Sequence, residues 1–133
     1  MQLTRLSHVC LNTADLQRTV QFYCEKLGCK VIHEYRNAHS EVYGVYLLVN
    51  NNTYLEFFKS DANSDAPSRF RHLCFEVSDI QEWAKAMGKQ GFVVEPRRGR
   101  TDGVLQFNIN DPDGNIIEFH EYDEHCVQHK YRS

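Results

Sequence analysis

Two histidines and two glutamates carry most of the chemical content of this chain. His8 opens the stretch HVCLNTADL and His72 opens HLCFEVSDI, 64 positions later; Cys10 and Cys74, Asp15 and Asp79, Leu16 and Ile80 keep the same offset. Glu56 in TYLEF and Glu118 in NIIEF stand 62 apart, so each half of the sequence runs from a His near its start to a Glu near its end. Imidazole nitrogen and carboxylate oxygen together suit zinc, nickel, cobalt, iron and manganese, and two of each leave room for water or a chelating substrate. His8, Glu56, His72 and Glu118 are therefore candidate ligands for one divalent metal ion. A lone strand histidine is more often a hydrogen-bonded structural residue, and a sheet glutamate often faces solvent; the repetition lifts this set above that reading. His33, His39, His125 and His129 have no repeat partner and read as surface residues. His120, two residues past Glu118 on the same strand face, could line a cavity. Cys10 and Cys74, each two beyond a His, read as small buried fillers, with soft-metal ligation as the alternative.

These residues need elements to position them, and the periodicity supplies a consistent set. Leu3 to Asn12 alternates as a strand with His8, Cys10 and Asn12 on one face. Thr13 to Asp15 starts a helix whose stripe is Leu16, Val20, Tyr23 and Leu27, and Gly28 ends it. Strands follow at Lys30 to Tyr35, Val42 to Val49 and Thr53 to Phe58. The second half repeats the plan with a strand at Phe70 to Val77 and a helix opened by Ser78, Gln81 completing a capping box. That helix buries Ile80, Trp83, Ala84 and Met87 and stops at Gly91. Strands at Phe92 to Glu95, Val104 to Asn110 and Asn115 to Tyr122 complete it, the last two joined by the DPDG turn at Asp111 to Gly114. The expectation is an α+β chain of two tandem βαβββ modules. Module one covers about 3–58, a linker 59–69, module two about 70–122 and a loose polar tail 123–133, all in a single domain 1–133. A pseudo-twofold between the modules makes the first and last strand of each neighbours, which brings one His and one Glu per half to a shared axis.

Composition narrows the function classes. A chain of 133 residues with 41% hydrophobic and 12% aromatic residues has material for a packed core rather than disorder. The net charge of −3, from mixed basic and acidic residues, offers no attraction to nucleic acid. Arg97, Arg98 and Arg100 form the one basic cluster, either a solvated turn or an anchor for an anionic substrate. Five cysteines without a CxxC pair suit a reducing cytoplasm. No apolar run reaches the length of a membrane span, and MQLTRLSH lacks the apolar core of a signal peptide.

The segments HVCLNTADLQRTVQFYCEKLGCKV, YLEFF, HLCFEVSDI and DPDGNIIEF resemble the vicinal oxygen chelate superfamily, the glyoxalase/bleomycin resistance/dihydroxybiphenyl dioxygenase fold, and within it the glyoxalase I (lactoylglutathione lyase) type. The resemblance spans Leu3 to Tyr122. It implies an incomplete, cupped β-barrel around one metal, a homodimer, and His8, Glu56, His72 and Glu118 as ligands, with the site within one chain or shared between two. Nickel, zinc or cobalt is the expected ion, with iron or manganese as alternatives. It further implies a lyase or isomerase that moves a proton next to a carbonyl chelated through adjacent oxygens, Glu118 being the favoured base and Glu56 the other catalytic carboxylate. Asn12 stands where glyoxalase I usually has a basic residue for the glutathione carboxylate, and Ser60 where it often has Asn, which puts a glutathione adduct in doubt. Asn12, Arg97, Arg98 and Arg100 are the candidate substrate contacts. The alternatives within the family are an iron-dependent extradiol-type dioxygenase, which needs no carboxylate at Glu56, and a non-catalytic small-molecule binding (resistance) protein.

Overall fold

The computed structural model of the chain describes residues 6–60, 70 and 72–131. The expected linker therefore lies outside the described residues, Lys59 and Ser60 excepted, as do residues 3–5 of the first expected strand. The chain divides into two compact units, Met1–Ala66 and Pro67–Ser133.

Unit 1 is a four-stranded mixed sheet. Its strands are β1 (His8–Thr13), β2 (Lys30–Arg36), β3 (Val42–Asn50) and β4 (Thr53–Lys59), in the spatial order β1-β4-β3-β2. β1 runs parallel to β4, and the other neighbours are antiparallel. Because side chains alternate across a strand, one face takes Val45, Leu47, Leu55 and Phe57, all at most 3% exposed. Helix α1 (Leu16–Gln21) covers that face, and its continuation over Phe22–Lys26 widens into a π-helix. The extra residue per turn presents both Phe22 and Tyr23 to the core, and the Tyr23 ring lies 4.8 Å from that of Phe57. The stripe actually buried is therefore Thr19, Phe22 and Tyr23, a correction to the α-helical spacing expected from the sequence. The Thr13 and Thr19 hydroxyls, both buried, meet at 2.6 Å and tie the end of β1 to the helix. Gly28, at φ +78°, lets the Gly28 and Cys29 amides turn back onto the Cys24 and Tyr23 carbonyls.

Unit 2 repeats the design with β5 (His72–Glu76), α2 (Ile80–Lys89), β6 (Arg97–Arg98), β7 (Leu105–Asn110) and β8 (Ile116–Glu121), in the order β5-β8-β7-β6. β5 is parallel to β8. Ile80, Ala84 and Met87 of α2 are buried, as are Phe107, Ile109, Ile117 and Phe119 of the sheet, with Phe107 and Phe119 stacked at 4.8 Å. Truncating Phe57 or Phe119 to Ala should cost about 3–5 kcal/mol. Asp111 holds the DPDG turn, accepting from the Asp113 and Asn115 amides at 2.9 and 2.8 Å.

Three expectations need correction here. The helix cap is Asp79, not Ser78: its carboxylate accepts from the Glu82 amide at 3.2 Å, and the Glu121 carboxylate on β8 takes the Ile80 amide at 2.6 Å. The strand expected at Phe92 to Glu95 is absent; within residues 92–98 the pairing with β7 is confined to Arg97–Arg98, and Pro96 has no amide to donate to a ladder. The tail is anchored over 123–127, not loose. Asp123 pairs with Arg98, the Val127 amide donates to the Asp102 carbonyl at 2.9 Å, and Cys126 is buried. Gly103 backs directly onto the His125 carbonyl, where any Cβ would collide.

Candidate functional site

In both units the strand that carries the His lies beside the strand that carries the Glu, in the same register. Cys10 is paired with Glu56 across β1 and β4, and Cys74 with Glu118 across β5 and β8. His8 and His72 sit two residues before these cysteines and so share the face of the carboxylates, opposite the face packed on the helix.

In unit 1 that open face is aromatic. Glu56 is flanked by Tyr46 on β3, and the His8 ring meets Tyr46 edge-on at 5.7 Å. Tyr54 stacks on Tyr46, while Phe58 stacks on Tyr43 and packs at 5.1 Å against Tyr35. Gly44, the ladder partner of Phe58, has no side chain, so the Phe58 ring lies over it. The Tyr35 hydroxyl donates to Glu56 Oε2 at 2.7 Å. The carboxylate in turn holds the Tyr35 phenol protonated, its pKa pushed up to about 12, chiefly by this hydrogen bond. The Cys10 thiol is also raised, first by desolvation and then by its hydrogen bond to Glu56. Asn12 lies further along the same face, beside Phe58.

In unit 2 the corresponding face is polar. Two imidazole nitrogens lie beside Glu118 Oε2: His120 Nε2 within hydrogen-bond distance at 3.1 Å, and His72 Nε2 at 3.4 Å. The other nitrogen of His120, Nδ1, is 3.3 Å from the Tyr122 hydroxyl. Cys74 joins the group: the Cys74, Glu118 and His120 donor atoms lie within 4.8 Å of one another. Desolvation and then the charges of Glu118 and Glu76 push the Cys74 thiol up to about 12, so it is a thiol rather than a thiolate. The next strand presents Asn108 beside Glu118 and Gln106 beside His120, with Arg97 beyond Gln106. Arg97, Gln106 and Asn108, with Val93 and Val94, line an open groove of about 830 Å³.

The three arginines of the basic cluster differ. Arg97 is 81% exposed and lies 3.6 Å from Glu95. Arg98 is committed within the fold: it grips Asp123 at both carboxylate oxygens, 3.0 and 2.7 Å, and donates to the Gly103 carbonyl at 2.7 Å. Arg100 is exposed in the turn beyond β6. His72 and Glu118 are thus in direct contact, and His8 and Glu56 share a face on adjacent strands. The sequence reading missed Tyr35, whose only signal was its place on the same strand face as His33. It also read Cys10 and Cys74 as buried fillers, whereas both are exposed.

The sequence profile of the glyoxalase/bleomycin resistance protein/dioxygenase superfamily matches residues 5–119. The chain belongs to this superfamily. A crystallised glyoxalase family protein from Enterococcus faecalis, 32% identical, superimposes with a TM-score of 0.77 over 91% of this chain and 100% of its own. A virulence protein of Salmonella typhimurium is 29% identical over 127 residues, 92% of this chain and 87% of that protein. Glyoxalase I of Saccharomyces cerevisiae is 29% identical over 147 residues, covering 88% of this chain but 44% of the yeast protein. The superfamily typically holds a divalent metal, and the Cys, Glu and His donors gathered in unit 2 are chemically suited to one. Among the described residues no helix is long and apolar enough to cross a membrane.

Proposed function

We propose that the chain is a metal-dependent lyase or isomerase of the glyoxalase I type, acting by proton transfer on a small substrate that presents two adjacent oxygens. His8, Glu56, His72 and Glu118 are the proposed ligands of one divalent ion, nickel, zinc or cobalt, and the assembly is a homodimer. The observation that carries this reading is the repeated placement of a carboxylate on the strand beside a histidine, once in each unit. Both carboxylates are only partly buried and face away from the hydrophobic cores, where a substrate can reach them.

When bound, the ion supplies positive charge to the chelated oxygens and so stabilises the negative charge that develops as the neighbouring carbon loses its proton. Glu118, whose Oε2 lies 3.1 and 3.4 Å from the His120 and His72 Nε2 atoms, takes that proton, and the same or the other glutamate returns it to the neighbouring carbon. Glu56 is oriented by the Tyr35 hydroxyl, which donates to Oε2, and by the Cys10 thiol. Asn12 and Arg97 are the proposed polar substrate contacts, with Gln106 and Asn108 lining the groove beside Glu118. Arg98, neutralised by Asp123, shapes the groove wall rather than charging it, and Arg100 is the remaining exposed cation of the cluster.

Elemental analysis after dialysis tests the reading, with Glu56→Gln beside wild type. Near one metal per chain, reduced in the variant, followed by turnover of hemithioacetals or hydroxy ketones, is the expected result. No metal after reconstitution would reduce the chain to a binding protein. A second reading, an iron-dependent oxygenase, is favoured by one observation: two imidazoles on one carboxylate in unit 2, the donor set of non-haem iron oxygenases. Oxygen consumption with catechols by the iron-loaded protein separates the two.

A further inference from the structure

We infer that His120 is a metal ligand, so that unit 2 by itself offers an imidazole and a carboxylate, His120 and Glu118, to a divalent cation, with the Cys74 sulfur within 4.8 Å of both and His72 3.4 Å from the carboxylate. The inference rests on the metal-binding reading above but not on the two ligands proposed from unit 1.

The convergence is specific. Both histidines present Nε2, the same ring atom, to the same oxygen, Glu118 Oε2. Neutral imidazoles at this distance point Nε2–H at the carboxylate; a cation at that point needs the Nε2 lone pairs instead, with each ring proton on Nδ1. For His120 the fold has provided for that tautomer. Its Nδ1 faces the Tyr122 hydroxyl, and a hydroxyl both donates and accepts. Tyr122 therefore fixes the ring in either state, the role that an outer hydrogen-bond partner plays for metal-bound histidine. The His120 side chain is only 13% exposed, so the ring is already ordered where a ligand would be required.

The repeat supplies an internal control. The residue two past Glu56 is Phe58, and the residue two past Glu118 is His120, so the same position of the same strand is aromatic hydrocarbon in one unit and imidazole in the other. Packing alone accepts a phenyl ring there. A histidine in a half-buried position beside a carboxylate, paired through both nitrogens, is explained by what its nitrogens hold.

The test uses the full chain, cobalt(II) as the probe, and His120→Phe, the substitution unit 1 already carries. Ligated imidazoles give far-shifted, exchangeable N–H proton signals in the paramagnetic NMR spectrum, one per histidine. The expected result is one such signal per ligated histidine in wild type, the loss of one in His120→Phe, and cobalt binding weakened by about tenfold or more, with the circular dichroism spectrum unchanged. Unchanged signals and unchanged affinity in His120→Phe would overturn the inference. His8→Ala and Glu56→Gln keep the two failures apart. If these leave cobalt binding intact while His120→Phe weakens it, the four-ligand reading fails and the unit 2 site stands.

Discussion

Glu56 and Glu118 occupy equivalent positions on equivalent strands, each opposite a cysteine of a parallel neighbour, yet they are held by different chemistry. Glu56 is gripped by the Tyr35 phenol in a field of stacked aromatic rings; Glu118 has imidazole nitrogens of His120 and His72 at 3.1 and 3.4 Å, next to carboxamides and Arg97. The Tyr35 phenol, its pKa pushed up to about 12, stays protonated and restrains the carboxylate, whereas an imidazole readily presents a lone pair to a metal ion. The two units share a frame. On the reading proposed above, unit 2 would anchor the ion, and unit 1 would offer a carboxylate restrained by the Tyr35 hydroxyl and the Cys10 thiol beside an apolar surface.

The sharpest way to break this division is to remove the anchor. Glu118→Gln should lower turnover at least about 100-fold, the contribution typical of a general base, and should also deplete bound metal. Turnover and metal content measured on one preparation decide it, and an active, metal-replete variant would exchange the roles of the two glutamates. His72→Ala should reduce metal per chain to background while the circular dichroism spectrum stays that of the folded protein. Undiminished metal would end the site hypothesis.

On the other side, Tyr35→Phe should be milder. The ring keeps its packing on Phe58 and Tyr43, but Glu56 loses the hydroxyl's restraint. Several-fold lower kcat with metal content retained is expected, and a variant that loses its metal as fully as His72→Ala would erase the contrast between the units. The smallest effect belongs to a contact outside the candidate site. The Arg98 guanidinium, foremost, and the His125 amide hold Asp123 down to about 2, from an ordinary 3.8 and against desolvation. A folded value below the unfolded one adds stability above pH 3.8, lost as the pH falls towards 2. The Tm of Asp123→Asn should therefore lie a few degrees below wild type near neutral pH, and scans in acid should find the gap closing. A gap independent of pH would assign the loss to packing of the tail.

Much of the fold could be read from residue order because its signals are local. Alternation marked β1 to β4 and β5, β7 and β8 to within a few residues, and DPDG marked its turn. The misreadings arose where a distant partner decided the outcome. Ser78 and Asp79 are both good caps, and the left-handed backbone at Asp79, φ 56°, put the second one in reach of the Glu82 amide. Phe92 to Glu95 has strand composition, but β7 finds its partner at Arg97–Arg98. Arg98 read as a free cation because Asp123, 25 residues on, carried no mark of being its partner.

By itself, the sequence determined that a unit is used twice, that each copy carries a His and a Glu, and which residues share a strand face with them; a period of two and a repeat near 64 are properties of residue order alone. Only the tertiary structure decided which strands lie side by side, and through that what each glutamate touches. Tyr35 reaches Glu56 across 21 residues of chain, whereas His120 reaches Glu118 across two. A hydrogen bond needs its atoms within about 3 Å, and strand pairing over a long sequence separation, rather than spacing along the chain, sets that distance for Tyr35.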